Sequence, residues 1–169
     1  MAIETDYSFG VSEEALNLTS MLSGIVERVE SVFSSYSVTL PNRRYWTMGQ
    51  PVVDCDQLVV SFVQMYLGTP GQELSLPQKC NVPRSATVLI SIARQVPVVG
   101  VNGRPPTAEK IEAYSAQTAI DAWVLMESIR QFDMWDETGY GPGVIATLEV
   151  SPPEGGFQLA TLQLTMVVP

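Results

Sequence analysis

Two long stretches of the chain repeat apolar residues at spacings of three and four. The segments between and after them alternate at a spacing of two. The first helical stretch runs from Ser12 to about Tyr36. Ala15, Leu18, Leu22, Ile25, Val29, Val32 and Tyr36 form one stripe, with Asn17, Glu27, Glu30 and Ser34 off it. Ser12 is placed to cap this helix, and Glu13 and Glu14 suit the positive end of its dipole. The second stretch starts at Thr107 as cap and runs to about Phe132. Its stripe is Ile111, Tyr114, Thr118, Ala122, Leu125, Ile129 and Phe132. Pro105-Pro106 and Glu109 fit a helix start. Ala113, Ala116, Ala119 and Ala122 predict a small-residue surface lying close to a sheet, and Trp123 reads as core.

The remaining apolar runs read as strands. Arg43 to Met48 is a short one after the Pro41-Asn42 turn, and Gln57 to Leu67 is longer. In the longer strand Leu58, Val60, Phe62 and Tyr66 point one way, and Val59, Val63, Met65 and Leu67 the other. Both faces are apolar, which predicts cover on both sides by a helix of the same chain or by a neighbouring subunit. Gly68 to Pro83 reads as a loop making an excursion from the body. A third strand spans Ala86 to Val96, and a hairpin at Pro152-Pro153-Glu154-Gly155-Gly156 joins Val144–Val150 to Phe157–Val168. Residues 1–11 form an irregular arm offering Tyr7, Phe9 and Val11, and 12–169 form one domain. The expected fold is α+β, a mostly antiparallel sheet of about five strands packed with two long helices.

Composition sharpens this picture. The 169 residues suit one core, yet only 16% are charged and mean hydropathy is +0.14. Such a sparse charge count predicts either a surface partly buried in an oligomer or a large core under a Ser/Thr/Gln-rich surface. The formal charge of −9 disfavours stable binding to nucleic acid. The acidic start of the chain gives no basic-then-apolar leader, and no run has the length of a membrane helix. Neither a membrane nor a cofactor is expected.

Candidate chemistry is thin. The chain has no histidine, which removes the commonest general base, the Ser-His-Asp and Cys-His arrangements and most transition-metal sites. Cys55 and Cys80 without histidine make no ordinary zinc site, and read as small buried residues. Asp54-Cys55-Asp56 is the best remaining constellation: a carboxylate pair with a thiol, or two solvated carboxylates at a strand entrance with no Lys or Arg beside the thiol. An enzyme reading would use Asp54, Asp56 or Glu73 as acid and base. Gly139-Tyr140-Gly141-Pro142-Gly143 makes a poor phosphate cradle, because Pro142 lacks the N–H and a strand follows. Arg43-Arg44-Tyr45-Trp46 mixes residue types enriched at protein interfaces; the alternative is a strand with two outward arginines and a buried Trp46. Arg84, Arg104, Trp135 and Tyr140 join Arg43, Arg44 and Trp46 as interface candidates by residue type and loop position.

Pro41-Asn42-Arg43-Arg44-Tyr45, then Asp54-Cys55-Asp56-Gln57-Leu58, then Cys80-Asn81-Val82-Pro83-Arg84-Ser85-Ala86-Thr87, then Pro105-Pro106-Thr107-Ala108-Glu109 and an Ala-rich helix, follow one another in order. In this the chain resembles tail terminator proteins of siphophages that infect actinobacteria, over roughly residues 15–132. The longer N-terminal arm departs from that pattern. The resemblance implies a non-enzymatic virion protein of the tail neck. Six copies would form a ring on the last ring of tail-tube protein, stop tube growth and meet the head-completion connector. DNA would pass through the channel without specific binding. A head-completion or tube protein is the nearest alternative, and a small acid/base enzyme a more distant one.

Overall fold

The structure is a computed structural model and describes residues 13–73, 83–99, 103–130 and 144–168. The N-terminal arm, Cys80, Phe132, Trp135 and Tyr140 lie outside the described residues. Helix α1 spans Glu13–Ser35 and α2 Ala108–Arg130. The strands are β1 Arg43–Met48, β2 Gln57–Thr69, β3 Gln72–Glu73, β4 Arg84–Gln95, β5 Ile145–Val150 and β6 Phe157–Val168. Five of them form one mixed sheet in the order β1-β2-β4-β6-β5, and β3 pairs with β2 alone. The fold is α+β, a mostly antiparallel sheet with two helices, as the sequence pattern predicts.

The helix limits follow from local chemistry. Past α1, Ser37 takes a left-handed conformation with φ 56°. Val38 N–H then donates to Phe33 O at 2.9 Å and Ser37 N–H to Ser34 O at 3.0 Å. This pair of bonds closes the last turn and satisfies two carbonyls the helix leaves open, while Val38 packs against the core. At α2, Thr107 O accepts from both Lys110 and Ile111 N–H, and Arg130 in the last turn pairs with Glu127 at 2.7 Å.

The core lies between the two helices and one face of the sheet. Leu22, Ile25, Val29, Val32 and Phe33 of α1 and Ala122, Val124, Leu125 and Ile129 of α2 meet Leu58, Val60, Val88, Ile90, Ile92, Leu162 and Leu164. The sheet residues among these pair across strands, Leu58 with Ile92, Val60 with Ile90, Ile90 with Leu162 and Val88 with Leu164, so they share a face. Two α2 expectations are corrected. Trp123 is 53% exposed and meets Tyr36 edge-on, with ring centroids 5.0 Å apart. Ile111, Ala113, Ala116 and Ala119 are also exposed; of the small residues only Ala122 faces the sheet. Thr118, Ala122, Leu125 and Ile129 of the expected stripe are buried, but apolar residues also lie on the outer side of this helix, so their presence there did not mark core.

β1 and β2 run parallel, Arg43 beside Gln57 and Met48 beside Phe62. Parallel neighbours need a connection that travels back along the strand. β1 rises about 20 Å, and the 49–56 link reaches about 27 Å when extended, which suffices. The chain turns at Gly49, φ 80°, whose N–H donates to Phe62 O. It returns on the side away from the helices, where Gln57 Nε2 donates to Val52 O at 3.0 Å.

A bulge in β2 corrects the facing of its second half. The register slips between Phe62 and Gln64, so Met65 and Leu67 pair with Ala86 and Arg84 on the helix side, while Tyr66 pairs with Ser85 on the other. One extra residue inverts every later side chain. The expected double cover also holds only for part of the strand: Gln57 to Ser61 are buried, whereas Val63, Met65 and Leu67 are exposed. The expected loop after Gly68 begins instead as a hairpin. Gly68 and Thr69 pair with Glu73 and Gln72 around Pro70-Gly71, with Gly71 at φ +79°, the conformation a Pro-Gly turn requires. Tyr66 Oη accepts from Gly71 N–H at 3.1 Å.

Candidate assembly surface

Both helices cover one side of the sheet. The other side is built from the alternate residues of every strand and sets hydroxyls and amides among apolar residues such as Val59, Leu89, Leu159 and Ile145. Thr87 and Thr165 hydroxyls lie 3.2 Å apart, and Ser91 and Thr161 hydroxyls 3.1 Å, each a cross-strand hydrogen bond. Ser61, Gln64 and Gln163 belong to the same face by register with Leu89 and Thr87. The β2–β3 hairpin folds back over one end of this face, and the 49–56 link over the other, beside β1. These covers explain why Ser85 and Thr87 near the hairpin, and Gln57 and Val59 near the link, are buried on the side away from α1 and α2. Between lies an open depression of about 290 Å³ walled by Leu89, Thr147, Glu149, Leu159, Thr161 and Gln163. Its one ionisable wall residue is Glu149, so it offers neither an acid/base pair nor a metal ligand set. Among the described residues no three Cys, Asp or Glu side chains gather as a metal would need. No helix among the described residues is long and apolar enough to cross a membrane.

The candidates on β1 alternate sides. Arg43 points to the side away from the helices. It pairs with Asp54 at 2.5 Å, donates to Cys55 Sγ at 3.5 Å and lies over the Tyr45 ring, 5.1 Å from its centroid. An arginine therefore does stand beside the thiol, contrary to the sequence expectation, because the 49–56 link carries Cys55 back to the start of β1. The hydrogen bond to Cys55 and then the charge of Asp54 hold the Arg43 guanidinium above its ordinary pKa. Arg44 points to the helix side, where Nε donates to Pro41 O at 2.8 Å and a guanidinium nitrogen lies 3.3 Å from Glu30. Trp46 and Met48 follow on that side, 37% and 57% exposed, so Trp46 is not the buried residue of the plainer reading.

Arg84 and Arg104 stand apart from this cluster. Arg84 opens β4 beside Leu67, while Gln57, Arg43's neighbour, pairs with Ala93. That separates the two arginines by roughly 30 Å along the strand direction. Arg104 is exposed in the approach to α2. The carboxylates of the Asp54-Cys55-Asp56 run have separate partners: Asp54 holds Arg43, and Asp56 Oδ1 accepts from Gln95 N–H at 2.7 Å, closing the end of β4. Cys55 is only partly buried.

A buried polar cluster that sequence reasoning missed fastens α2 to the sheet. Asp121, on α2 and 1% exposed, takes Arg94 Nε at 2.9 Å, a second Arg94 nitrogen at 3.1 Å and Gln117 Nε2 at 3.0 Å. Arg94 also donates to Thr39 O, and Tyr114 Oη to Arg94 O at 2.9 Å. The spacing of Tyr114, Gln117 and Asp121 on one helical face was the available signal. The chain matches no protein-family model and no curated protein sequence.

Proposed function

We propose that this protein is a structural virion subunit, a tail terminator that closes into a ring on the end of a phage tail tube and joins it to the head connector. The observation that carries this reading is the one-sided build of the sheet. Two helices cover one face; the other keeps an open depression between the hairpin and the 49–56 link, and among the described residues neither β1 nor β5 is paired on its outer side. A closed ring needs two different patches per subunit that fit each other, and an open sheet with distinct ends supplies them. The order of motifs along the chain and the two long helices support the terminator over a tube subunit. The partners are then further copies of the chain, the tail-tube protein and a head-completion protein, with DNA passing through the channel. An acidic subunit favours passage over adsorption, because it repels phosphate. No catalysis and no cofactor belong to this reading.

The test is deletion of the gene in its phage. Tails of uncontrolled length are the expected result. Tails of normal length lying free of heads would assign the chain to the head side instead. Light scattering on the purified chain of 18.5 kDa reads the ring directly, with about 111 kDa expected for six copies.

A further inference from the structure

We infer that neighbouring subunits of this ring join sheet edge to sheet edge, β5 of one copy against β1 of the next. The inference rests on the ring reading and adds its contact. β1 and β5 are the two ends of the sheet, six residues each, and among the described residues neither carries a strand on its outer side. An outer strand presents a row of unpaired N–H and C=O groups that another strand satisfies. Neither strand contains proline or lysine, and the charges they carry are Arg43 and Arg44 on β1 and Glu149 on β5.

Strand direction fixes how two copies meet. β1 and β2 point one way, β4 the other, β6 with β2, and β5 with β4. In a ring every copy has the same orientation, so β5 of one copy meets β1 of the next antiparallel. The helices of all copies then stay on one side of a continuous sheet. Ring closure selects this joint over its alternatives, because β1 to β1 or β5 to β5 makes a two-fold pair and leaves the other edge unused. Charge agrees for β5, which carries Glu149 and no base, so that β5 to β5 would set Glu149 beside Glu149. On β1, Arg43 and Arg44 already hold Asp54 and Glu30 of their own subunit, and Arg43 shares the face of Glu149. Trp46 and Met48 on β1 and Val150 on β5 are exposed on the helix side and would be covered together. The consequence for the channel is a wall made of this open face, where Thr47, Ser61, Leu89, Gln163 and Thr147 follow one another in a row across each subunit, with Ser61 itself buried.

Disulfide trapping tests this on the full chain in a Cys55→Ser, Cys80→Ser background. Thr47→Cys is made in one preparation, and Thr147→Cys or Ile145→Cys in another; all three lie at the strand edges on the same face. Mixing the two preparations under oxidation is expected to give a disulfide dimer that neither gives alone. Thr47→Cys and Thr147→Cys in one chain is expected to give a ladder ending at the ring number. Glu149→Arg is expected to abolish the trapped product while circular dichroism and melting temperature stay unchanged. Dimers from a single variant alone would show same-edge pairing and overturn the inference. A ring mass by light scattering with no disulfide in any combination would overturn the edge joint and leave the ring standing. A monomer with no disulfide, in solution and in the assembled particle, would sink both.

Discussion

Gly71 stands against Ile145. A side-chain carbon at Gly71 would lie 3.0 Å from Ile145 Cδ1, across the face of the sheet opposite α1 and α2. The β2–β3 hairpin therefore reaches over β4 and β6 to the outermost strand, and ties the two halves of the sheet together on their open side. Gly71 is required for its φ of +79°, and the close approach adds a smaller steric demand that the terminal methyl of Ile145 can meet by a slight shift. Gly71→Ala is expected to lower the unfolding free energy by about 1–2 kcal/mol. Ile145→Ala in the same chain should recover the steric part and leave the backbone part. Urea denaturation of the two single variants and the double variant separates them.

Asp121→Ala should be among the most damaging single changes away from the apolar core. It leaves the Arg94 guanidinium, largely enclosed, without its carboxylate, and the expected loss is about 3–5 kcal/mol. The paired change Arg94→Met with Asp121→Leu should cost far less, because no charge is then left buried alone. Equilibrium unfolding in urea reads both.

Tyr114 gives the chain an alkaline limit. Burial is the first cause that pushes its phenol pKa above the usual 10, and its O–H donates to Arg94 O. A folded-state pKa above the unfolded one means that the stabilisation is fully present below about pH 10 and lost as pH rises through the folded value. Stability measured by urea unfolding should fall above that pH, and Tyr114→Phe should make the fall shallower.

Ser37 ends α1 in a conformation that favours glycine. Ser37→Gly is expected to raise stability by about 0.5 kcal/mol, the relief of the left-handed strain less the entropy glycine adds to the unfolded chain. A rise in thermal midpoint with unchanged helix content would show it.

Met48 separates folding from assembly. It is more than half exposed on β1, so Met48→Gln should change the unfolding free energy by less than about 0.5 kcal/mol. If β1 is an assembly edge, the same change should lower the native mass at a given concentration. Light scattering beside urea unfolding on one preparation distinguishes the two effects.

The pattern of apolar positions was enough to place both helices and the five main strands. α1 and α2 span Glu13–Ser35 and Ala108–Arg130, against expected limits of Ser12–Tyr36 and Thr107–Phe132. Periodicity, capping residues and proline-glycine turns act within a few residues of chain, so a sequence carries them openly. The absence of histidine, and with it a short list of possible chemistries, was equally a property of the sequence. The tertiary structure decided what depends on residues distant along the chain. It made β1 parallel to β2, because the 49–56 link has just the reach to return. It turned Tyr66 to the open face through one inserted residue, and turned Trp123 outward on a helix that carries apolar residues on its outer side as well. It brought Arg43 to Cys55, Arg94 to Asp121 and Gly71 to Ile145. Each of these pairings is set by strand order and register, and those are fixed by the whole core at once rather than by any local stretch.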